Sequence, residues 1–154
     1  MTANEIADFW GRYLKSAEKP AETTYKESFY FGYYEELANE LLQLVLAGQK
    51  TATTSSYLAY ANAGEALPKV GDLSIVTDWS GRPACVIETT QVVTLPFNQM
   101  TFDLCRLEGE DENLASWQEN HRQAFTHSGP EEGYVFSEEM PVVFEVFRVV
   151  YREV

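Results

Sequence analysis

Positive charge, histidine and cysteine are all scarce in this sequence. Its 154 residues hold 11 Lys plus Arg against 24 Asp plus Glu, a formal net charge of −13, with two histidines and two cysteines. Cys85 and Cys105 form no CxxC pair and set no disulfide framework, so both read as small apolar residues of a reducing compartment. His121 and His127 belong to no HExxH motif and no Cys/His cluster, which argues against a zinc site. The acidic run Glu108-Gly109-Glu110-Asp111-Glu112 lacks the alternating ligands of a calcium loop and reads as a solvated turn. Neither a metal nor a cofactor is expected. The basic residues form no run, so the phosphate contacts that hold duplex DNA are missing. No apolar stretch approaches the ~20 residues of a membrane helix. Glu5 and Asp8 stand where a secretory leader would carry positive charge. Duplex DNA and membranes are therefore excluded as partners, and a cytoplasmic location is expected.

What is present is ordinary globular material. Hydrophobic residues make up 45% of the chain and charged residues 23%, enough for one core, since a domain near this length buries about two-thirds of its unfolded surface. No repeat or low-complexity tract divides it, so one domain over 1–154 is expected. Ile6, Phe9, Trp10, Tyr13 and Leu14 recur at helical spacing. Leu37, Leu41, Leu44 and Val45 mark a second amphipathic helix, with Gly48 as its stop. Thr51 to Ser56 suit a strand or loop. Leu73 to Thr77 and Ala84 to Val93 read as strands joined by the turn residues Ser80-Gly81-Arg82-Pro83, hence a hairpin. Asn98 to Arg106 suits a short helix. Asn113 caps a further helix that carries Leu114, Trp117, His121 and Phe125, with Trp117 and Phe125 as core and His121 half-buried. Val142 to Tyr151 has strand composition. Helices, strands, helices and strand in that order indicate α+β and not alternating βαβ.

Several catalytic classes fall away. Gly48-Gln49-Lys50-Thr51 contains G-x-K-T, but no earlier glycine completes a phosphate loop, and the segment ends a helix instead of opening one. No G-x-S-x-G elbow is present. Lys50 remains, the only basic residue between Lys26 and Lys69, set among Thr51, Thr53, Thr54, Ser55 and Ser56. A lone lysine past a helix end is ordinarily solvated. A lysine beside hydroxyls also supplies the parts of an assisted hydroxyl nucleophile. Lys50 and Thr53 would point to opposite faces of a regular strand, so cooperation requires a turn, a bulge or the helix exit.

The chain resembles the ASCH domain, a PUA-like β-barrel group, over nearly its whole length. Ser28-Phe29-Tyr30-Phe31-Gly32 is similar to the aromatic-glycine segment ahead of the family's long helix. Glu36 to Thr53 resembles that helix and the G-x-K-x-x-T motif after it. Leu67 to Asp72 resembles the entry to the barrel strands, and Cys85 to Pro96 the strand into the helical insertion. Glu108-Gly109-Glu110 with Trp117, His121 and Phe125 resembles the E-G-E and W-x-x-x-H-x-x-x-F segments.

The resemblance implies a small barrel over about 48–154, surrounding helices and an N-terminal helical segment over about 3–47. Short bacterial members of the group are amidohydrolases of N4-acetylcytidine, and others are described as ribonucleases. Carried over residue by residue, the catalytic positions are Lys50, Thr53 and Glu110, with Glu108 competing for the last role. Phe31, Gly32, Ser55, Glu108 and His121 become candidate substrate contacts. Ser55 stands where the short amidohydrolases carry Arg. Three functions follow: hydrolysis of an acylated cytosine nucleoside, single-stranded RNA binding or cleavage, and a non-catalytic regulatory domain. The charge balance favours the first, because a nucleoside brings no phosphate to repel.

Overall fold

The computed structural model describes residues 2–153. In chain order its first elements are α1 (Thr2–Ser16), β1 (Ser28–Phe29), α2 (Glu35–Leu46), β2 (Ala52–Ser56) and α3 (Tyr57–Ala63). Then come β3 (Leu73–Thr77), β4 (Pro83–Pro96), α4 (Phe102–Cys105), α5 (Leu114–Glu132) and β5 (Pro141–Arg152). Short 3₁₀ turns at Phe97–Gln99 and Arg106–Glu108 flank α4, so the single short helix expected over 98–106 is broken into three pieces.

The long antiparallel pair β4–β5 organises the molecule, running from Cys85↔Arg152 to Pro96↔Pro141. Its register shifts between Val86 and Ile87 and again between Thr89 and Gln91, and such bulges bend a strand and strengthen its twist. One ribbon can therefore serve several helices. α1 lays its apolar stripe, Phe9, Trp10, Tyr13 and Leu14, on Ile75 and Val86. Burying each of those side chains stabilises by about 1.5–3 kcal/mol. α2 covers Val76, Cys85, Ile87 and Phe147 with Leu41, Leu42 and Val45. α5 packs Trp117 and Phe125 on Ala52, Phe97, Val142 and Phe144. Both cysteines are buried free thiols.

The α+β class holds, but the expected barrel does not close. Strand order is β1-β3-β4-β5-β2, with β1 parallel to β3 and the other neighbours antiparallel. Among the described residues β1 and β2 stay at opposite edges without pairing to each other. β1 is two residues long, too short to bridge a gap. β2 stops at Ser56, whose hydroxyl accepts the Leu58 amide at 3.2 Å and starts α3 at once. That helix has no counterpart in the sequence reading, although Ser56 and Gly64 are its N- and C-caps. α5 also runs further than expected, through Gly129 and Pro130 to Glu132.

Candidate active site

The exit of α2 carries the first component. After Leu46 the chain turns tightly, the amides of Gln49 and Lys50 both donating to the Leu44 carbonyl. It is then fastened to the 107–109 segment. The Thr51 amide and hydroxyl reach the Leu107 carbonyl at 2.8 and 3.1 Å, and Gln49 Nε2 reaches the Gly109 carbonyl at 2.7 Å. Gly109 makes this approach possible. Its φ is +73°, and a Cβ there would sit 2.3 Å from the Gln49 carbonyl oxygen. Two segments about sixty positions apart in sequence thus meet, and the meeting brings Lys50 to the acidic run.

Lys50 is buried, at 2% exposure, despite being a lone lysine past a helix end. Its Nζ donates to Glu110 Oε2 at 2.7 Å and to the Ala52 carbonyl at 2.9 Å, and stands 3.5 Å from Glu108 Oε1. Glu108 is 1% exposed, which corrects the reading of 108–112 as a solvated turn at that residue, while Glu112 is exposed. Its Oε2 accepts from Thr54 Oγ1 and Trp117 Nε1, each at 2.7 Å. His121 Nε2 stands 3.3 Å from Oε1, while His121 Nδ1 lies 2.9 Å from the Trp117 carbonyl. Both partners of that ring can only accept, so the two contacts are hydrogen bonds together only when both nitrogens carry protons.

Burial pushes against charge on Glu108 and His121, but their neighbours outweigh it. For Glu108 the opposing charges of His121 and Lys50, with hydrogen bonds from His121 and Trp117, hold the carboxyl down at about 2. For His121 the Glu108 charge and hydrogen bond raise the imidazole above its ordinary value. Glu108 is thus a fixed anion encircled by donors, whereas Glu110 is partly open to solvent.

A cleft of about 500 Å³ lies over this cluster, between α2 with its preceding loop and α5. Of the sequence candidates it brings together Phe31, Gly32, Lys50, Thr53, Glu108, Glu110 and His121. Phe31 is largely core, stacked on Phe147 at 5.8 Å with Lys50 Nζ 5.2 Å from its ring centroid. Ser55 is not among the lining residues. It borders a second cleft of about 480 Å³ and pairs with the Tyr60 hydroxyl at 2.8 Å. Strand alternation is the reason. Ala52, Thr54 and Ser56 turn toward α5, while Thr53 and Ser55 turn the other way, Thr53 opposite Glu145 in register. Thr53 is nevertheless among the residues that line the first cleft.

Sequence reasoning missed Thr54 and the second use of Trp117. The period-2 pattern of β2 carried a signal for Thr54. Nothing in the sequence distinguishes Trp117, at 0% exposure, from a purely apolar core residue. It also passed over Tyr33 and Tyr34 as cleft residues. Among the described residues no group of three or more His, Cys, Asp or Glu is placed to hold a metal ion, and no helix is long and apolar enough to cross a membrane.

Comparison with known proteins agrees with this architecture. No curated protein matches the chain. The crystal structure of an ASCH domain from Lactobacillus crispatus JV V101 is 39% identical, with a TM-score of 0.86 over 97% of this chain and 96% of that one. A protein of Enterococcus faecalis V583, from the DUF984 family, is 32% identical, with a TM-score of 0.89 over 96% of this chain and 89% of its own. An ASCH protein from Zymomonas mobilis shares the fold alone, at 14% identity and a TM-score of 0.51 over 80% of this chain and 67% of that one. The family model described as the ASCH domain matches residues 27–151. With most of its length inside that match, the chain belongs to the ASCH domain family.

Proposed function

We propose that this ASCH domain, a member of an RNA-related family, hydrolyses the amide of an N4-acylated cytosine nucleoside such as N4-acetylcytidine. The observation that carries this reading is the 2.7 Å Lys50–Glu110 hydrogen bond at the base of a cleft that Thr53 also lines. About 500 Å³ lies within the range of small-molecule sites and suits a nucleoside. Tyr34 on its wall offers a face for a base, a contact worth about 1–3 kcal/mol.

Thr53 Oγ1 attacks the acyl carbonyl carbon. Its proton passes to Lys50, which has given one of its own to Glu110 along their hydrogen bond. The bond from carbonyl carbon to N4 breaks, and the Lys50–Glu110 pair returns a proton to the departing amino group. Water then cleaves the Thr53 ester, releasing the carboxylic acid and restoring the hydroxyl. Glu108 takes no part in this traffic, because a carboxylate held at about 2 and surrounded by donors is a poor proton acceptor. Thr54 is a weaker candidate nucleophile, since its hydroxyl already donates to Glu108.

The test is acetate release from a panel of N4-acylated cytidines, run beside cleavage of a labelled single-stranded RNA. Turnover of the nucleosides that Lys50→Ala and Thr53→Ala abolish, with Thr54→Ala retaining it, supports the reading. Lys50-dependent RNA cleavage with no acetate release replaces it with a nuclease.

A further inference from the structure

α2 with its preceding loop and α5 form opposite walls of the cleft, and Tyr33, which lines it, makes a side-chain contact to α5. Tyr33, in the loop before α2, stacks on His127 of α5 with ring centroids 4.7 Å apart and planes 30° apart. The loop holds Tyr33 in a fixed direction. Gly32 before it has a φ of +87°, and a Cβ there would crowd Leu37 Cγ at 3.0 Å and the Ala38 amide nitrogen at 3.3 Å. Tyr34 braces Tyr33 edge-on at 5.3 Å. His127 lies six residues beyond His121 on the same helix, about 9 Å along its axis. Measured along α5, the stack is therefore offset by about 9 Å from the histidine that touches Glu108, comparable to the span of a base and its sugar.

We infer that the Tyr33–His127 stack bounds the far end of the cleft and sets substrate length, admitting a nucleoside and rejecting the same base inside an RNA chain. This rests on the nucleoside reading above and adds a specificity-determining pair to it. A chain continuing past the sugar would have to part the two rings. Its phosphates would also enter a cleft whose lining includes Glu40, Glu108 and Glu110 against Lys50 and His121. His127 is exposed, so replacing it removes the stack with little cost to the core.

The experiment compares kcat/KM for N4-acetylcytidine with kcat/KM for a trinucleotide carrying the same base at its centre. It uses the wild type, His127→Ala and His127→Phe, the last keeping an aromatic partner for Tyr33. The wild type should prefer the nucleoside. His127→Ala should reduce that preference about tenfold, and His127→Phe should restore it. Calorimetric binding of unacylated cytidine and of the matching trinucleotide is measured in the same three proteins. If no protein turns over either substrate, the hydrolase reading falls. The length limit then stands or falls on whether His127→Ala selectively gains trinucleotide binding. A wild type that takes both ligands equally, or a preference unchanged in His127→Ala, overturns the inference.

Discussion

Replacing Glu108 with glutamine changes almost no volume but reverses part of a buried hydrogen-bond pattern. Four donors surround the carboxylate: Thr54 Oγ1, Trp117 Nε1, His121 Nε2 and Lys50 Nζ. The amide oxygen of Glu108→Gln can keep Thr54 and Trp117, but its NH₂ then faces two further donors, both cationic when His121 is protonated. Breaking a buried ion pair by removing one partner typically costs about 3–5 kcal/mol. Lys50 retains Glu110 and the Ala52 carbonyl, so a loss near the lower end, about 3 kcal/mol, is expected at pH 7. For a chain of this size that is a fall in Tm of roughly 6–12 °C.

The depressed Glu108 carboxyl implies a contribution of the same order. The Glu108 carboxyl is lowered from 4.5 to about 2 in the folded protein. At 1.36 kcal/mol per pH unit, this depression is worth about 3 kcal/mol. Because the folded value is the lower one, the stabilisation is complete above the unfolded value and is lost as pH falls from about 5 toward 2. Urea unfolding of wild type and Glu108→Gln over pH 2–7 should therefore show a gap of about 3 kcal/mol at neutrality that closes in acid. A gap under about 1 kcal/mol at pH 7, or one that stays constant between pH 5 and 2, refutes the assignment of Glu108 as the anion that organises the cluster.

Two further outcomes test the surroundings. His121 titrates above its ordinary 6.5 when folded, so its stabilising share is present below that value and lost as pH rises through the folded one; the stability gap between wild type and His121→Gln should narrow from pH 6 to pH 9 in urea titrations. Gly109→Ala drives a methyl against the Gln49 carbonyl at a positive φ; thermal melts should show a loss of about 2–4 kcal/mol, and a melt unchanged from wild type would mean that the 49–51 and 107–109 segments are not held as described.

Local periodicity made most elements legible. The Ile6 to Leu14 stripe, the Leu37 to Val45 stripe with Gly48 past its end, and the Val- and Phe-rich C-terminal strand all name their own structure. α3 escaped because Tyr57–Ala63 has no apolar stripe; only its caps, Ser56 and Gly64, mark it, and both residues are equally at home in loops. Closure of the sheet is a long-range property, decided by the two-residue length of β1 and the turn at Ser56. At the site, composition argued for solvation of both Lys50 and Glu108. Their burial arises from mutual neutralisation across 58 positions of sequence, and no local window contains both partners. The motif resemblance put Lys50 together with Glu110, Glu108 being the competitor for that role, and the placement of Ser55 in another cleft follows from the alternation of an edge strand.

In the proposed mechanism Lys50 moves the Thr53 proton through its contact with Glu110, and acetate release from N4-acetylcytidine by Lys50→Arg reports on that step. Arginine keeps the positive charge facing Glu110 and Glu108 but stays protonated and cannot accept a proton. General-base assistance is typically worth about 10²–10⁴-fold. Wild type should release acetate, and folded Lys50→Arg should fall by at least that factor. Robust turnover by folded Lys50→Arg would contradict it and leave Lys50 as an electrostatic group alone.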